Sequence, residues 1–314
     1  MKIISAADVA STLDHAGAID ALRAALRGGF DPAGDATRLS APLSRGEFLF
    51  MPSELGKYAG VKVLTVTPDN PSEGNPRIQG SALLLDAHTH ATLALVDGVA
   101  LTNLRTPAVS LAGVADVLER RHPAGVHLVV VGGGIQGLLH VRAALAVVPV
   151  LSATVIVRGE ARSDSVVAGC AELGVPAAEA VGGTAEAQAA FRNAGLVVTA
   201  TSASEPVLAD EDIADTAVVV AMGSHSPGAR ELPATLLGRS TVVVESRHTA
   251  LDEAGDVVLA IADGALTLDD CLTFREVVRT AGEGIPDDRP LVFKTTGMSW
   301  EDLVVASAVY EKLV

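Results

Sequence analysis

Four glycines lie where an apolar run passes into a helix-forming run in the segment VVVGGGIQGLLH. Gly132, Gly134 and Gly137 give the spacing G-x-G-x-x-G, typical of the strand-to-helix turn that binds a dinucleotide pyrophosphate. The first glycine would permit the tight turn, the second the approach of the backbone to phosphate, and the third close helix packing. Ile135 and Gln136 belong to the same turn, at a helix N-terminus that favours negative charge. The sequence predicts a nicotinamide or flavin nucleotide here; a plain strand-to-helix turn is the alternative.

The end of the next apolar strand, ATVIV, indicates which nucleotide is bound. An acid that binds the ribose 2′-hydroxyl is expected about 20 residues after the glycines, but Arg158, Glu160 and Arg162 stand there. A cation at this position favours NADP, with Arg158 or Arg162 contacting the 2′-phosphate. Glu160 leaves NAD open, and either arginine could be a solvated surface residue.

Later strands supply further candidates, because the carboxyl ends of parallel strands line the ligand crevice of a doubly wound sheet. The segments TATSASEP and MGSHSPGAREL follow two such strands. From them we expect the cofactor contacts Thr199, Thr201, Ser202, Met222 and Gly223. His225 is the imidazole best placed for proton transfer, since histidine titrates near neutral pH. A loop histidine bonded to backbone is the alternative.

Three basic residues outside this region could hold a substrate carboxylate. Lys62 lies inside the apolar strand GVKVLTV, where a buried ammonium is costly unless it meets an anion. Arg105 follows a β-like segment in LTNLRTP, and Arg38 precedes the strand EFLFMP. Together they could bind a carboxylate, although surface ion pairs are the commoner explanation for such residues.

Composition and charge limit the possible partners. The 314 residues carry a formal net charge of −15, and 49% of them are hydrophobic. No basic block is present, so we expect neither nucleic acid nor membrane as a partner. His88 and His90 in DAHTHATL resemble a metal pair, but no further ligand stands at the right spacing, and we expect a polar turn and no metal. Cys170 and Cys271 form no motif, and MKIISAADVA lacks signal-peptide features, so we expect a cytoplasmic protein.

The order of elements predicts an α/β protein of two domains. Short β-like runs from Arg38 to about residue 99 predict an antiparallel or mixed sheet. From residue 126 onward, continuous apolar strands alternate with helices, which predicts a doubly wound parallel sheet. The closing segment begins SWEDLVV, in which Glu301 and Asp302 are an N-terminal helix signal. We expect it to return to the first domain, which gives a substrate domain of 1–112 plus 290–314 and a nucleotide domain of 113–289.

These segments resemble one known family over nearly the whole chain. The resemblance rests on FLFMP, GVKV, ALVDGVALTNLRTPAVS, VVGGGIQG, TATSASEPVL, MGSHSPGAREL and VFKTTGMSWEDLVVASAVYEKL, which are similar to the ornithine cyclodeaminase/mu-crystallin family. It implies a homodimer with a Rossmann domain inserted in an α+β domain that is built from both chain ends. It also implies that Arg38, Lys62 and Arg105 bind the carboxylate of an amino or imino acid, and that Met51 and Thr106 line that pocket.

The resemblance does not fix one reaction, because the family includes cyclodeaminases, amino-acid dehydrogenases and ketimine reductases. Cyclodeaminases of the family carry an Asp where this sequence has His225, which weakens that assignment. We therefore predict an NAD(P)-dependent oxidoreductase acting at the α-carbon of a small amino or imino acid, namely a ketimine (cyclic imino carboxylate) reductase or an amino-acid dehydrogenase. Lys62 or His225 would transfer the proton. The alternatives are ornithine cyclodeamination and a non-catalytic NADP-dependent binding protein.

Overall fold

The computed structural model describes residues 1–159 and 163–314, and the chain divides into two compact units. The first, the terminal unit, contains residues 1–109 and 297–314. The second, the central unit, contains residues 110–296. The chain therefore leaves the terminal unit within one helix and returns to it just before the last one.

Strands and helices are numbered along the chain. The strands are β1 (Lys2–Ile4), β2 (Leu39–Leu43), β3 (Gly46–Leu55), β4 (Tyr58–Val66), β5 (Ile78–Asp86), β6 (Thr92–Asp97), β7 (Val126–Val131), β8 (Val150–Val157), β9 (Ala177–Val181), β10 (Leu196–Thr199), β11 (Val218–Ala221), β12 (Thr241–Val244), β13 (Leu272–Thr273) and β14 (Leu291–Lys294). The helices are α1 (Ala6–Thr12), α2 (His15–Arg27), α3 (Gly98–Ala112), α4 (Ala115–Arg121), α5 (Ile135–Leu145), α6 (Asp164–Glu172), α7 (Ala185–Asn193), α8 (Ala234–Arg239), α9 (Arg247–Glu253), α10 (Gly255–Ala262), α11 (Phe274–Thr280) and α12 (Ser299–Leu313).

The terminal unit is built on a six-stranded mixed sheet in the order β1-β6-β5-β4-β3-β2. β1 is parallel to β6 and the other neighbours are antiparallel, so of the antiparallel and mixed sheets that we predicted as alternatives, the mixed one is formed. Side chains alternate between its faces: along β4, Lys62, Leu64 and Val66 are buried, whereas Val63 and Thr65 are partly exposed. Because α12 packs on β3, β4 and β5, the buried residues form the face beneath that helix.

One predicted element of this unit was wrong: Arg105 does not follow a β-like segment but lies in the middle of α3. The carboxylate of Asp97 accepts a hydrogen bond from the backbone N–H of Ala100 (2.8 Å), which stabilises the helix start. Leu101, Leu104 and Ala108 are buried at helical spacing. The apolar residues that suggested a strand are therefore the buried stripe of a helix.

The central unit is built on an eight-stranded sheet in the order β13-β12-β14-β11-β10-β7-β8-β9, and every neighbouring pair is parallel. All four residues of β10, of β11 and of β14 are buried. Apolar side chains on both faces are expected when helices cover a parallel sheet, and the predicted fold class is confirmed.

The position of β14 shifts the division between the units from the predicted one. We placed residues 290–296 with the closing helix, but β14 hydrogen-bonds to both β11 and β12, and the chain returns to the terminal unit only at Gly297. The physical reason is the run LVFK, which is buried in the interior of the parallel sheet. At the other end the division falls after Val109, within α3.

Hydropathy along the helices was also compared with the requirements of a bilayer. Among the residues that the structure describes, no helix is both long enough and apolar enough to cross a membrane.

Candidate functional site

The glycine turn connects β7 to α5, as the sequence predicts. Gly132 has φ of +123°, and a Cβ there would lie 2.5 Å from the carbonyl oxygen of Ala200. At Gly137 a Cβ would lie 2.9 Å from both the Gly132 carbonyl oxygen and Val130 Cγ1. The fold itself therefore requires glycine at these two positions.

Gly134 differs from Gly132 and Gly137. Its φ is −86°, which any residue adopts, and within the described ranges no atom lies within 4 Å of a Cβ built on it. It is the N-cap of α5, where backbone N–H groups are available to an anion. The next residue, Ile135, is 58% exposed, and Gln136 is half-buried. The open space at Gly134 fits a bound pyrophosphate.

The buried Glu231 organises the loops that follow β10 and β11. Its carboxylate accepts hydrogen bonds from Thr199 Oγ1 (2.8 Å), from Thr201 Oγ1 (2.7 Å) and N (2.8 Å), and from Gly223 N (2.7 Å). Two of the hydroxyls that we expected to contact a cofactor, those of Thr199 and Thr201, thus donate to this carboxylate. Sequence reasoning missed Glu231; a single acid in the loop segment SPGAREL was the available signal.

A second buried pair supports the same loops. Lys294 donates to the carbonyl oxygen of Ser224 (2.5 Å) and forms an ion pair with Asp256 (3.1 Å). Asp256 in turn accepts hydrogen bonds from the backbone N–H groups of Glu231 (2.7 Å) and Leu232 (2.8 Å). Lys294 and Asp256 therefore hydrogen-bond to the backbone of the loop that follows β11 and stabilise it.

The remaining candidates of the central unit have different exposures. Ser202 and His225 are exposed, and Met222 is half-buried with its N–H bonded to the carbonyl oxygen of Thr199. Arg158 is exposed at the end of β8. The other predicted specificity residue, Arg162, lies outside the described residues, as does Glu160.

In the terminal unit, Lys62 is the buried centre of a charged cluster. Its Nζ lies 2.6 Å from Asp302 Oδ2, and both side chains are almost fully buried. It also donates to Thr102 Oγ1 at 3.4 Å. Met51 on β3 and Ala82 on β5 are its partners in the sheet register. The anion that the sequence argument required for a buried ammonium is therefore supplied by α12.

Arg105 shares the same carboxylate. Its Nε donates to Asp302 Oδ1 (3.0 Å), and its Nη1 lies 3.5 Å from Glu301 Oε2. Glu301 and Asp302 are buried in the first turn of α12. The sequence indicated only a helix start at these acids. The missed signal was two carboxylates directly before the apolar run LVVA, because buried charges need partners.

Arg38 contacts the segment just before α12. Its Nη2 donates to the carbonyl oxygen of Gly297 (3.1 Å). A Cβ on Gly297 would lie 2.5 Å from Nη1 of Arg105, so this glycine, with φ of +87°, lies against that guanidinium. The three predicted cations are thus brought together around the N-terminal end of α12.

The two pocket residues expected from the resemblance are both buried, at 2% exposure for Met51 and 7% for Thr106. Met51 lines a cavity under α12 together with Lys62 and Asp302. Thr106 follows Arg105 in α3.

The electrostatics of the cluster change the acidity of Lys62. Burial, followed by the positive charge of Arg105, lowers the pKa of Lys62 to about 7, while Asp302 opposes part of that effect. Lys62 therefore gains or loses a proton near neutral pH.

Asp35 contacts the first turn of α12. Its carboxylate accepts hydrogen bonds from Ser53 Oγ (2.7 Å) and the Trp300 N–H (2.9 Å), and burial raises its pKa.

Residues that we assigned no role lie elsewhere. His88 and His90 are exposed on the turn between β5 and β6, where Asp86 accepts hydrogen bonds from the N–H groups of His88 and Thr89. Cys170 and Cys271 are buried free thiols.

A parallel sheet with an open glycine turn between a strand and a helix is typical of dinucleotide-binding proteins, and the other unit of this chain gathers three cations, among them a buried lysine. Comparison with known proteins agrees. The profile of the ornithine cyclodeaminase/mu-crystallin family matches residues 2–314. The chain belongs to this family.

Individual relatives carry related descriptions. The chain is 34% identical over 272 residues to a Delta(1)-pyrroline-2-carboxylate reductase of Bacillus thuringiensis subsp. konkukian, covering 85% of this chain and 81% of the relative. A Thermococcus litoralis Delta(1)-pyrroline-2-carboxylate reductase, solved with NADH and L-proline, superposes with a TM-score of 0.88 at 25% identity, covering 99% of this chain and 97% of that one. An archaeal alanine dehydrogenase dimer with bound NAD gives 0.86 at 25% identity, covering 99% and 95%.

Proposed function

We propose that this protein is an NAD(P)-dependent oxidoreductase that reduces the C=N bond of a small imino acid, with a cyclic imino carboxylate as substrate class. The observation that carries the proposal is the buried Lys62, held 2.6 Å from Asp302 in one cluster with Arg105. Reduction of an imino acid needs a carboxylate anchor and a proton donor, and this cluster combines them. Similarity to pyrroline-2-carboxylate reductases supports this reaction among those of the family.

The charges of the cluster suit a substrate carboxylate. Arg38, Lys62 and Arg105 lie together, and Lys62 and Arg105 both contact the carboxylate of Asp302. A substrate carboxylate bound by the arginines would add a negative charge among these cations and fix the orientation of the imine.

Lys62 is the proposed proton donor. When hydride adds to the imine carbon, the nitrogen gains a lone pair and takes a proton, and an ammonium with a pKa of about 7 can supply it. We assign this step to Lys62 rather than to His225, because Lys62 lies among the carboxylate anchors whereas His225 is exposed on a loop of the central unit.

The glycine turn is the proposed binding site of the dinucleotide pyrophosphate, with Gly134, Ile135 and Gln136 at the start of α5. When bound, the nicotinamide supplies the hydride. Glu231 would hold Thr199, Thr201 and Gly223 in place around it. We propose NADP as the preferred form because Arg158 is exposed at the end of β8. Parallel fluorescence titrations with NADPH and NADH measure this, and clear NADH preference would contradict it.

A substrate panel in both directions tests the reaction. Purified protein is incubated with cyclic and open-chain imino acids plus NADH or NADPH, and separately with ornithine plus NAD. We expect consumption of the reduced cofactor with a cyclic imino carboxylate. Formation of proline and ammonia from ornithine without net NADH change would instead support cyclodeamination. Tight cofactor binding without turnover of any compound would support a binding protein.

We also propose a homodimer formed through the outer face of the terminal sheet, the face opposite α12. The register places Phe50, Val63 and Leu39 in one row, and all three are partly or fully exposed. Leu83, Leu95 and Ile3 form another such row, and Ile3 is 71% exposed. Exposed apolar side chains that adjoin one another in rows favour association with another protein surface.

Light scattering after size exclusion tests the dimer. Phe50→Asp should give monomers because it places a charge between the apolar side chains of Leu39 and Val63 on this face. The matched control is Leu251→Asp on α9, where the wild-type side chain is 44% exposed; it should stay dimeric. A Phe50→Asp dimer would contradict the proposal.

We also propose a cytoplasmic location, with which the free thiols of Cys170 and Cys271 agree.

A further inference from the structure

Asp302 connects the two functions of the charged cluster. Its Oδ2 lies 2.6 Å from Lys62 Nζ and its Oδ1 accepts from Arg105 Nε at 3.0 Å, so its two oxygens serve different cations. The carboxylate is only 2% exposed. A buried carboxylate between two cations is screened little by solvent, and its charge acts strongly on both.

We propose that Asp302 is a positioning residue that keeps Lys62 charged and fixes the guanidinium of Arg105, so that one carboxylate sets both the acid and the anchor of the site. This inference rests on the proposed function for its catalytic consequence. The contacts themselves are independent of which reaction the protein performs. Asp302 touches neither cofactor nor substrate in this proposal and acts only through the two cations.

The balance of charges around Lys62 determines the direction of the effect. Arg105 from α3 and Arg38 from the segment before β2 disfavour its protonation, as burial does. Asp302 from α12 favours it, while the neighbouring Glu301 contacts Arg105. Thr102 adds a neutral partner. Removing the charge of Asp302 leaves Lys62 with two cations and no anion in direct contact among the described residues, so its protonated form should persist only at lower pH.

The test is a titration of the lysine side chains by NMR, with ¹³C at Cε. The lysines are Lys2, Lys57, Lys62, Lys294 and Lys312, and Lys62→Met identifies the Lys62 signal. We expect this signal to titrate near pH 7 in the wild type and at least about one pH unit lower in Asp302→Asn, the usual size of the effect of a close opposite charge. An unchanged or higher midpoint in Asp302→Asn would overturn the proposal.

Two controls separate this role from a general effect on the fold. Glu301→Gln removes the neighbouring charge on the same helix and should leave the Lys62 midpoint nearly unchanged. Asp256→Asn breaks the comparable buried pair with Lys294 in the central unit, and should leave the Lys62 midpoint unchanged. An equal shift of Lys62 in either control would contradict a specific role of Asp302. Asp302→Glu restores the charge and should return the midpoint toward the wild type.

Kinetics distinguish failure of this inference from failure of the proposed function. In the reductive direction, Asp302→Asn should lose at least about fivefold in kcat/KM at pH 7, because a shift of about one pH unit lowers the protonated fraction of Lys62 by that factor. It should recover part of this loss at lower pH, which a purely structural loss would not do. A shifted Lys62 signal without turnover of any imino acid by either protein would refute the reaction and leave the coupling intact. If Asp302→Asn does not fold, the double variant with Lys62→Met should be more stable, and an equally unstable double variant would overturn the coupling.

Discussion

Gly134→Ala should separate ligand binding from folding, since Gly134, unlike Gly132 and Gly137, has neither a positive φ nor a close contact that would require glycine. A Cβ added at Gly134 would have no atom within 4 Å in the described parts of the chain, and the φ of Gly134, −86°, is allowed for alanine. Alanine restricts the unfolded chain, which stabilises by about 0.4–1 kcal/mol. It is also a poorer N-cap than glycine, which offsets this gain. We expect the free energy of unfolding to change by less than about 1 kcal/mol.

Binding should respond differently. The methyl group would occupy the space in which a phosphate approaches the N–H groups at the start of α5. Loss of one hydrogen bond to a charged group costs about 1.5–3 kcal/mol. That corresponds to a Kd raised roughly 10- to 100-fold.

Urea unfolding and NADPH fluorescence titration measure the two quantities on the same protein. Gly137→Ala is the matched control: its Cβ would lie 2.9 Å from the Gly132 carbonyl oxygen and Val130 Cγ1, and overpacking of this kind costs about 1–3 kcal/mol of stability. If Gly134→Ala binds NADPH and NADH within twofold of wild type, the turn is not the phosphate site. A large loss of stability would show that the open space has been misread.

Three further predictions concern buried charges. In the reductive direction kcat/KM depends on protonated Lys62, whose pKa is about 7, so kcat/KM should fall tenfold per pH unit above neutrality. The oxidative rate should rise through the same pH range. Initial rates that stay flat from pH 6 to 9 in both directions would contradict this. Arg105→Lys keeps the charge but loses the planar fork, so the KM for the imino acid should rise at least about tenfold with the Kd of NADPH unchanged; parallel loss of both would indicate a folding defect. Glu231→Gln should lower the free energy of unfolding by about 1–3 kcal/mol, because an amide cannot accept all the hydrogen bonds of this carboxylate; an unchanged urea midpoint would show that those bonds are not needed.

Much of the fold could be predicted because its signals are local. The glycine spacing, the continuous apolar strands and the alternating runs of the first hundred residues each indicate one type of element. Arg105 shows the limit: an apolar segment of mixed periodicity was read as β-like, and its buried helical stripe became apparent only in the structure. β14 shows another limit, since its place between β11 and β12 depends on strands more than forty residues away in sequence.

The sequence by itself determined the doubly wound sheet, the glycine turn and the presence of a buried lysine that needed an anion, because each follows from local residue types. The tertiary structure decided which anion it was. Asp302 lies far from Lys62 and Arg105 along the chain, and only the packing of α12 on the terminal sheet brings its two oxygens to both cations. Burial then sets the proton affinity of Lys62, because the desolvation of a charge depends on everything packed around it.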